Sequence, residues 1–233
     1  METENYKTIS IGEIVAIDFR TASVFKNNRI DFCCGGKKSL EETCLELGID
    51  QAKVEHELSE LAATPPGPGQ NFSSWKLDFL CDYIQNTHHT YVLNTLPDLC
   101  IYTAKIAAVH GEPHPELIEV ASLFAKINKE LLQHLKNEEE VLFPAIKSVL
   151  ANKDHESKAT IISEITRMTG EHEFAGGAMD TINQLTNHYK LPEDSCGTYQ
   201  VTFKLLEQFE DDLHIHVHLE NNILYPGALK LTN

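Results

Sequence analysis

Apolar residues return every three or four positions along most of this chain, as at Leu117, Val120, Leu123, Phe124, Ile127, Leu131 and Leu135. That spacing marks one face of an α-helix. Valine and isoleucine alternate with polar residues over no long run, so strands are not expected. Four long helices are predicted: about Trp75 to His110, from after Gly111-Glu-Pro-His-Pro115 to about Ala151, about His155 to Tyr189, and about Ser195 to Leu229. Pro97 is expected to kink or break the first near its middle. Short connections between long helices make neighbours antiparallel, which gives an all-α, up-down-up-down four-helix bundle.

Ahead of the bundle the pattern predicts short helices: Ile9 to Phe19, Arg20 to Asn27, Leu40 to Leu47 and Gln51 to Leu61. Ser39 with Glu42 reads as a capping box for the third, and Gly48 as its stop. Between the two regions lies Ala62-Ala-Thr-Pro-Pro-Gly-Pro-Gly-Gln-Asn-Phe-Ser-Ser74, dense in helix breakers. The division is therefore a small helical domain at 1–62, a linker at 63–74 and a bundle at 75–233.

The chain has 233 residues, 42% of them hydrophobic, enough for one full core plus a small second domain. Its formal net charge of -16 repels nucleic acid phosphates and anionic lipid, so neither is an expected partner. No apolar run approaches the roughly 20 residues of a membrane span. The N-terminus lacks a positively charged start followed by an apolar stretch, so no secretory signal is read. Six cysteines without a disulfide-framework spacing suit a reducing compartment. The expected location is cytoplasmic.

Two His-x-x-x-Glu pairs, His134/Glu138 and His216/Glu220, stand at matching places in the bundle region. Residues i and i+4 share a helix face, so each pair points an imidazole and a carboxylate at one spot. Counting from the predicted turns sets His89, His134, His172 and His216 at matching heights to within about two residues, or about 3 Å at 1.5 Å rise per residue. A carboxylate can bridge two ions while each imidazole caps one. Imidazoles with few carboxylates suit iron better than calcium or magnesium, which prefer all-oxygen shells. Zinc is usually satisfied by four ligands. Six ligands in two doubled sets argue for two ions, with coordination positions left for an oxo bridge or a small molecule.

His88 competes with His89, since neighbours on a helix point about 100° apart; height favours His89. His214 and His218 form a rival i,i+4 pair, but only His216 has a carboxylate four residues on. Glu139 and Glu140 read as a solvated face. Glu130, one turn before His134, and Glu171, beside His172, are candidates to hydrogen-bond a ligand or relay protons. Cys33-Cys34-Gly-Gly36 reads as a turn whose thiols are candidates for redox chemistry or transient metal binding.

Asp31-Phe-Cys-Cys-Gly-Gly36 resembles the N-terminal domain of the bacterial repair-of-iron-centres proteins, the ScdA/YtfE type. Leu96-Pro-Asp-Leu99, His134-Leu-Lys-Asn-Glu-Glu139, Leu142-Phe-Pro144, Glu171-His172 and His216-Val-His-Leu-Glu-Asn-Asn-Ile-Leu-Tyr-Pro226 extend the resemblance over nearly the whole chain. It implies a haemerythrin-like bundle holding an oxo-bridged di-iron centre on His89, His134, His172 and His216, with Glu138 and Glu220 bridging. Glu130 and Glu171 would be the acids near that centre, and Cys33 and Cys34 the thiols of the small domain. It further implies a stress-induced protein that restores damaged iron–sulfur proteins, by donating iron or through nitric oxide chemistry. Whether that makes the chain an enzyme stays open, as does a homodimer.

The bundle is also similar to haemerythrin, with two departures. Gly176 stands four residues after His172 where haemerythrin has a second histidine, and Asn221 stands five after His216 where it has an aspartate. One histidine fewer implies less saturated, more exchangeable iron, which favours repair over storage. A non-catalytic sensor or binder of oxygen or nitric oxide is the alternative.

Overall fold

The computed structural model describes residues 6, 9–64, 71–152 and 155–232; residues 65–70 of the expected linker lie outside the described residues. The described chain is helical, without strands beyond an isolated Ser10–Ser39 bridge. Short helices α1 (Ile11–Ile17), α2 (Thr21–Asn27), α3 (Leu40–Leu47) and α4 (Gln51–Ala62) come first. They are followed by α5 (Leu77–Ile84), α6 (Thr90–His110), α7 (Glu116–Asn137), α8 (Phe143–Asn152), α9 (His155–Leu185), α10 (Gly197–Leu219) and α11 (Tyr225–Lys230). One compact unit gathers the chain up to Leu80 together with Ile215–Leu231; the other is Cys81–His214.

The second unit is a four-helix bundle. Its core includes Leu96, Ile106, Phe124, Ile127, Leu131 and Leu206, all buried. Of the periodic series on α7, Leu117, Val120, Phe124, Ile127, Leu131 and Leu135 are buried and Leu123 is half-buried. Phe124 of α7 meets Phe209 of α10 edge to face, with centroids 5.4 Å apart. α6 runs through Pro97 without ending there. Of the kink or break expected at Pro97, the break does not occur; a π-turn at Gln85–His89 precedes the helix.

Two more π-turns, Glu138–Leu142 and Glu220–Leu224, join α7 to α8 and α10 to α11. Each is followed at its second residue by a proline, Pro144 or Pro226. Proline has no N–H to donate and its ring crowds the carbonyl four residues back. Widening the preceding turn to i→i−5 bonding relieves that crowding: the Phe143 N–H donates to the Glu138 carbonyl, and the Tyr225 N–H to that of Glu220.

The first unit is built on reciprocal caps. Ser10 and Glu13 close a capping box on α1, Ser39 and Glu42 one on α3, and Gly48 ends α3 at φ 66°. The first N–H groups of α1 find partners in the Cys-Cys-Gly-Gly loop: Ile11 N donates to Lys38 O (2.9 Å) and Gly12 N to Gly36 O (2.8 Å). Ile11, Ile14, Phe25, Leu40, Val54 and Leu58 fill the core.

The same loop is tied to the C-terminal segment. Asn222, inside the third π-turn, donates from Nδ2 to Phe32 O (3.2 Å), and the His218 ring meets Phe32 edge to face. Gly12 makes this approach: a Cβ there would lie 2.1 Å from Asn222 Oδ1. Gly12→Ala should therefore destabilise the protein by about 1–3 kcal/mol through overpacking, measured by urea unfolding; unchanged stability would show that Asn222 yields at no cost.

Candidate metal centre

The second unit brings four of the expected ligands together. His89 ends the Gln85–His89 π-turn, His134 lies in the last turn of α7, Glu138 opens the next π-turn, and His172 lies on α9. All four are buried. One carboxylate oxygen of Glu138 stands 3.2 Å from His89 Nε2 and 3.3 Å from His134 Nε2. His172 Nε2 is 3.1 Å from His134 Nε2. The first unit holds the other pair, also buried: His216 Nε2 lies 2.9 Å from Glu220 Oε1. Each of the six belongs to a buried set of side chains able to hold a metal ion.

Outer carboxylates set the imidazoles. Glu139 accepts from His89 Nδ1 at 2.8 Å, and Glu171 from His134 Nδ1 at 2.7 Å. A carboxylate at Nδ1 favours the proton there, the tautomer that leaves Nε2 available to a metal. Without an ion, Nε2 of each ring stands at hydrogen-bond range of Glu138 and donates to it when the ring is protonated. Arg167 holds Glu171 in turn. The His89 ring stacks on Phe143, 5.6 Å between centroids at 20°.

Burial opposes the charge on Glu138, but His134 and His89 outweigh it and hold the carboxyl well below its usual range. An ionised carboxylate with no water around it needs cationic or hydrogen-bonding partners to offset its desolvation. Converging imidazole nitrogens and buried carboxylates are a donor set for a borderline divalent or trivalent ion such as iron, so the residues fit a metal.

The π-turns explain how neighbours serve one ring. Consecutive side chains on a regular helix diverge by about 100°, yet Glu138 and Glu139 both reach His89, at Nε2 and Nδ1. The widened turn begins at this pair. Glu139, which looked like a solvated face, is thus part of the site, and no spacing rule picks it out. The π-turns did leave a signal: the doubled motif extends to His-x-x-x-Glu-x-x-x-Leu-aromatic-Pro, ending at Pro144 and Pro226.

Other candidates lie elsewhere. His88 is buried with Nδ1 2.9 Å from Asp212 Oδ1, while His89 faces Glu138. Glu130 is exposed on α7, so the structure brings Glu171, rather than Glu130, to His134. His218 is buried, and burial pushes its imidazole down to about 4. It is therefore neutral at neutral pH, with Nδ1 accepting from Asn222 Nδ2 (3.0 Å). Cys33 and Cys34 sit in the first unit, where Asp31 Oδ1 accepts from both backbone amides, at 2.8 and 3.1 Å.

Among the described residues no helix is long and apolar enough to cross a membrane. Residues 7–62 match the ScdA N-terminal family, described as a domain of unknown function (DUF542), and residues 82–228 match the haemerythrin HHE cation binding domain. The chain is similar to the iron–sulfur cluster repair protein ScdA of Staphylococcus epidermidis, 30% identical over 92% of this chain and 95% of the relative. It is likewise similar to the iron–sulfur cluster repair protein YtfE of Yersinia pestis and of Yersinia pseudotuberculosis. Each is 32% identical over 97% of this chain and 99% of the relative.

Loss of an outer carboxylate should loosen the ion without unfolding the bundle. Glu171→Gln and Glu139→Gln are each expected to lower metal affinity about 10- to 100-fold, and Glu130→Gln to leave it unchanged, in competition titrations against a chelator. Equal effects at Glu130 and Glu171 would contradict the assignment.

Proposed function

The chain belongs to the family of the ScdA and YtfE iron–sulfur cluster repair proteins, and on that premise we propose that it holds two iron ions and returns iron to damaged clusters. His89, His134, His172 and His216, with Glu138 and Glu220, would hold the ions. What supports two ions is the doubling: each carboxylate opens a π-turn, follows a histidine by four residues and is fully buried. Iron bound there supplies exchange between ferrous and ferric states and affinity for oxygen and nitric oxide.

The protein's own residues would hold the ions and keep them exchangeable. Glu139 and Glu171 orient His89 and His134, and their charge favours the protonated rings that would form as each Nε2 gives up an ion and takes a proton. Both outer carboxylates are partly exposed, which opens a proton path from solvent to the buried rings. Gly176, buried one turn after His172, offers no side chain as a further ligand. A shell short of donors releases iron more readily than a saturated one, the property a donor needs and a carrier avoids. The buried Glu138 carboxylate, shared by His89 and His134 with outer acids behind both, is the observation that carries this reading.

The partners are iron–sulfur proteins damaged by oxidative or nitrosative stress, in the cytoplasm, with nitric oxide or oxygen as small ligands. The test is reactivation of a nitric-oxide-damaged iron–sulfur dehydratase. The iron-loaded protein should restore activity at concentrations where free ferrous iron does little, and Glu138→Ala, stripped of most iron, should not. Reversible nitric oxide or oxygen binding with all iron retained and no reactivation would replace repair by sensing.

A further inference from the structure

The Cys-Cys-Gly-Gly loop, in the region that matches the ScdA N-terminal family, holds a second cluster of ligand atoms. Cys33 Sγ lies 3.9 Å from Cys34 Sγ and 3.1 Å from Asp31 Oδ1, and one ligand atom from each of the three falls within 4.8 Å of the others. We infer that Asp31, Cys33 and Cys34 form a separate metal site, binding one thiophilic divalent ion such as ferrous iron or zinc.

The spacing already matches two thiolates on one ion. Metal–sulfur bonds of about 2.3 Å at a tetrahedral angle separate the sulfurs by about 3.8 Å, beside the 3.9 Å observed. A carboxylate oxygen at about 2.1 Å from the same ion would stand about 3.6 Å from sulfur, so Asp31 has to withdraw about half an ångström from Cys33. The ion replaces the two thiol protons, which leave for solvent as two metal–sulfur bonds form.

The loop is prepared for this. Asp31 is fixed by the amides of Cys33, Cys34 and Gly35, the last donating to Oδ2 at 2.7 Å. Gly36 lets the loop fold under itself, since a Cβ there would lie 2.5 Å from Phe32 O. Cys33 is buried, while Cys34 is half-buried and Asp31 exposed. The ion is thus held from one side and open on the other, with a coordination position left for an incoming donor or acceptor.

The loop also hangs on the metal-bearing segment of α10 and its π-turn. Asn222, two residues beyond Glu220, donates to Phe32 O, and His218, between His216 and Glu220, packs on Phe32. The site's role is to receive an ion leaving Glu220 and His216 and present it to an acceptor. That role rests on the iron-donor reading above; the existence of the site does not.

Cobalt(II) titration of the reduced full-length protein tests it, through thiolate-to-cobalt charge-transfer absorption, which imidazoles and carboxylates do not produce. The band should account for one ion per chain beyond those the bundle takes up without a thiolate band, vanish in Cys34→Ser, persist in Cys196→Ser, and need a higher cobalt concentration in Asp31→Asn. Cys34 is partly exposed, so its serine variant keeps the fold, checked by far-UV circular dichroism. No band in the parent, a band kept in Cys34→Ser, or unchanged affinity in Asp31→Asn would overturn the assignment. A band with no iron in the bundle would leave this site standing and remove only the donor reading.

Discussion

The constraint on which the structure depends is the burial of carboxylates. Glu138 and Glu220 are fully enclosed, at the ends of helices whose buried positions are mostly apolar. An uncompensated charge there costs several kcal/mol, so something must be supplied to meet it. The chain supplies imidazoles at hydrogen-bond range, carboxylates behind those imidazoles, and a donor set that suits iron. Removing one member leaves its partners buried and unmatched, which makes the cluster act as a unit.

Helix irregularity is how that unit is aimed. A regular helix shows one face to the core every 3.6 residues, too coarse to set two consecutive acids on two edges of one ring. The π-turn at Glu138–Leu142 opens at that pair of acids and its counterpart at Glu220–Leu224 opens at the other buried carboxylate; Pro144 and Pro226 make each wide turn the low-energy choice. π-turns concentrate at functional positions in helical proteins. Here all three found among the described residues contain a proposed ligand: His89, Glu138 or Glu220. The third also carries Asn222, which ties the proposed ligand Glu220 to the position of the cysteine loop through one short segment.

Much of this was legible in the sequence because it is local. The three- and four-residue periodicity of α7, the Ser39/Glu42 box, the Gly48 stop and the two His-x-x-x-Glu pairs all depend on neighbours within one or two turns. The choice of His89 over His88 came from counting heights along antiparallel helices. The rest depends on contacts between distant segments. Glu139 looks like its neighbour Glu140 until α6 is set beside it, and Glu130 looks as well placed as Glu171 until α9 supplies the latter. Pro97 is tolerated inside α6, whereas Pro144 and Pro226 each follow a π-turn; a proline alone does not say which outcome its helix adopts.

The central claim is that the bundle carries two coupled irons. Mössbauer spectroscopy with elemental analysis, on protein produced in iron-57 medium and purified without added metal, tests it most directly. The account predicts about two irons per chain, the count set by two bridging carboxylates and four imidazoles, in a diamagnetic, antiferromagnetically coupled ferric pair. One isolated paramagnetic iron per chain, zinc in its place, or a folded protein with no metal would contradict it.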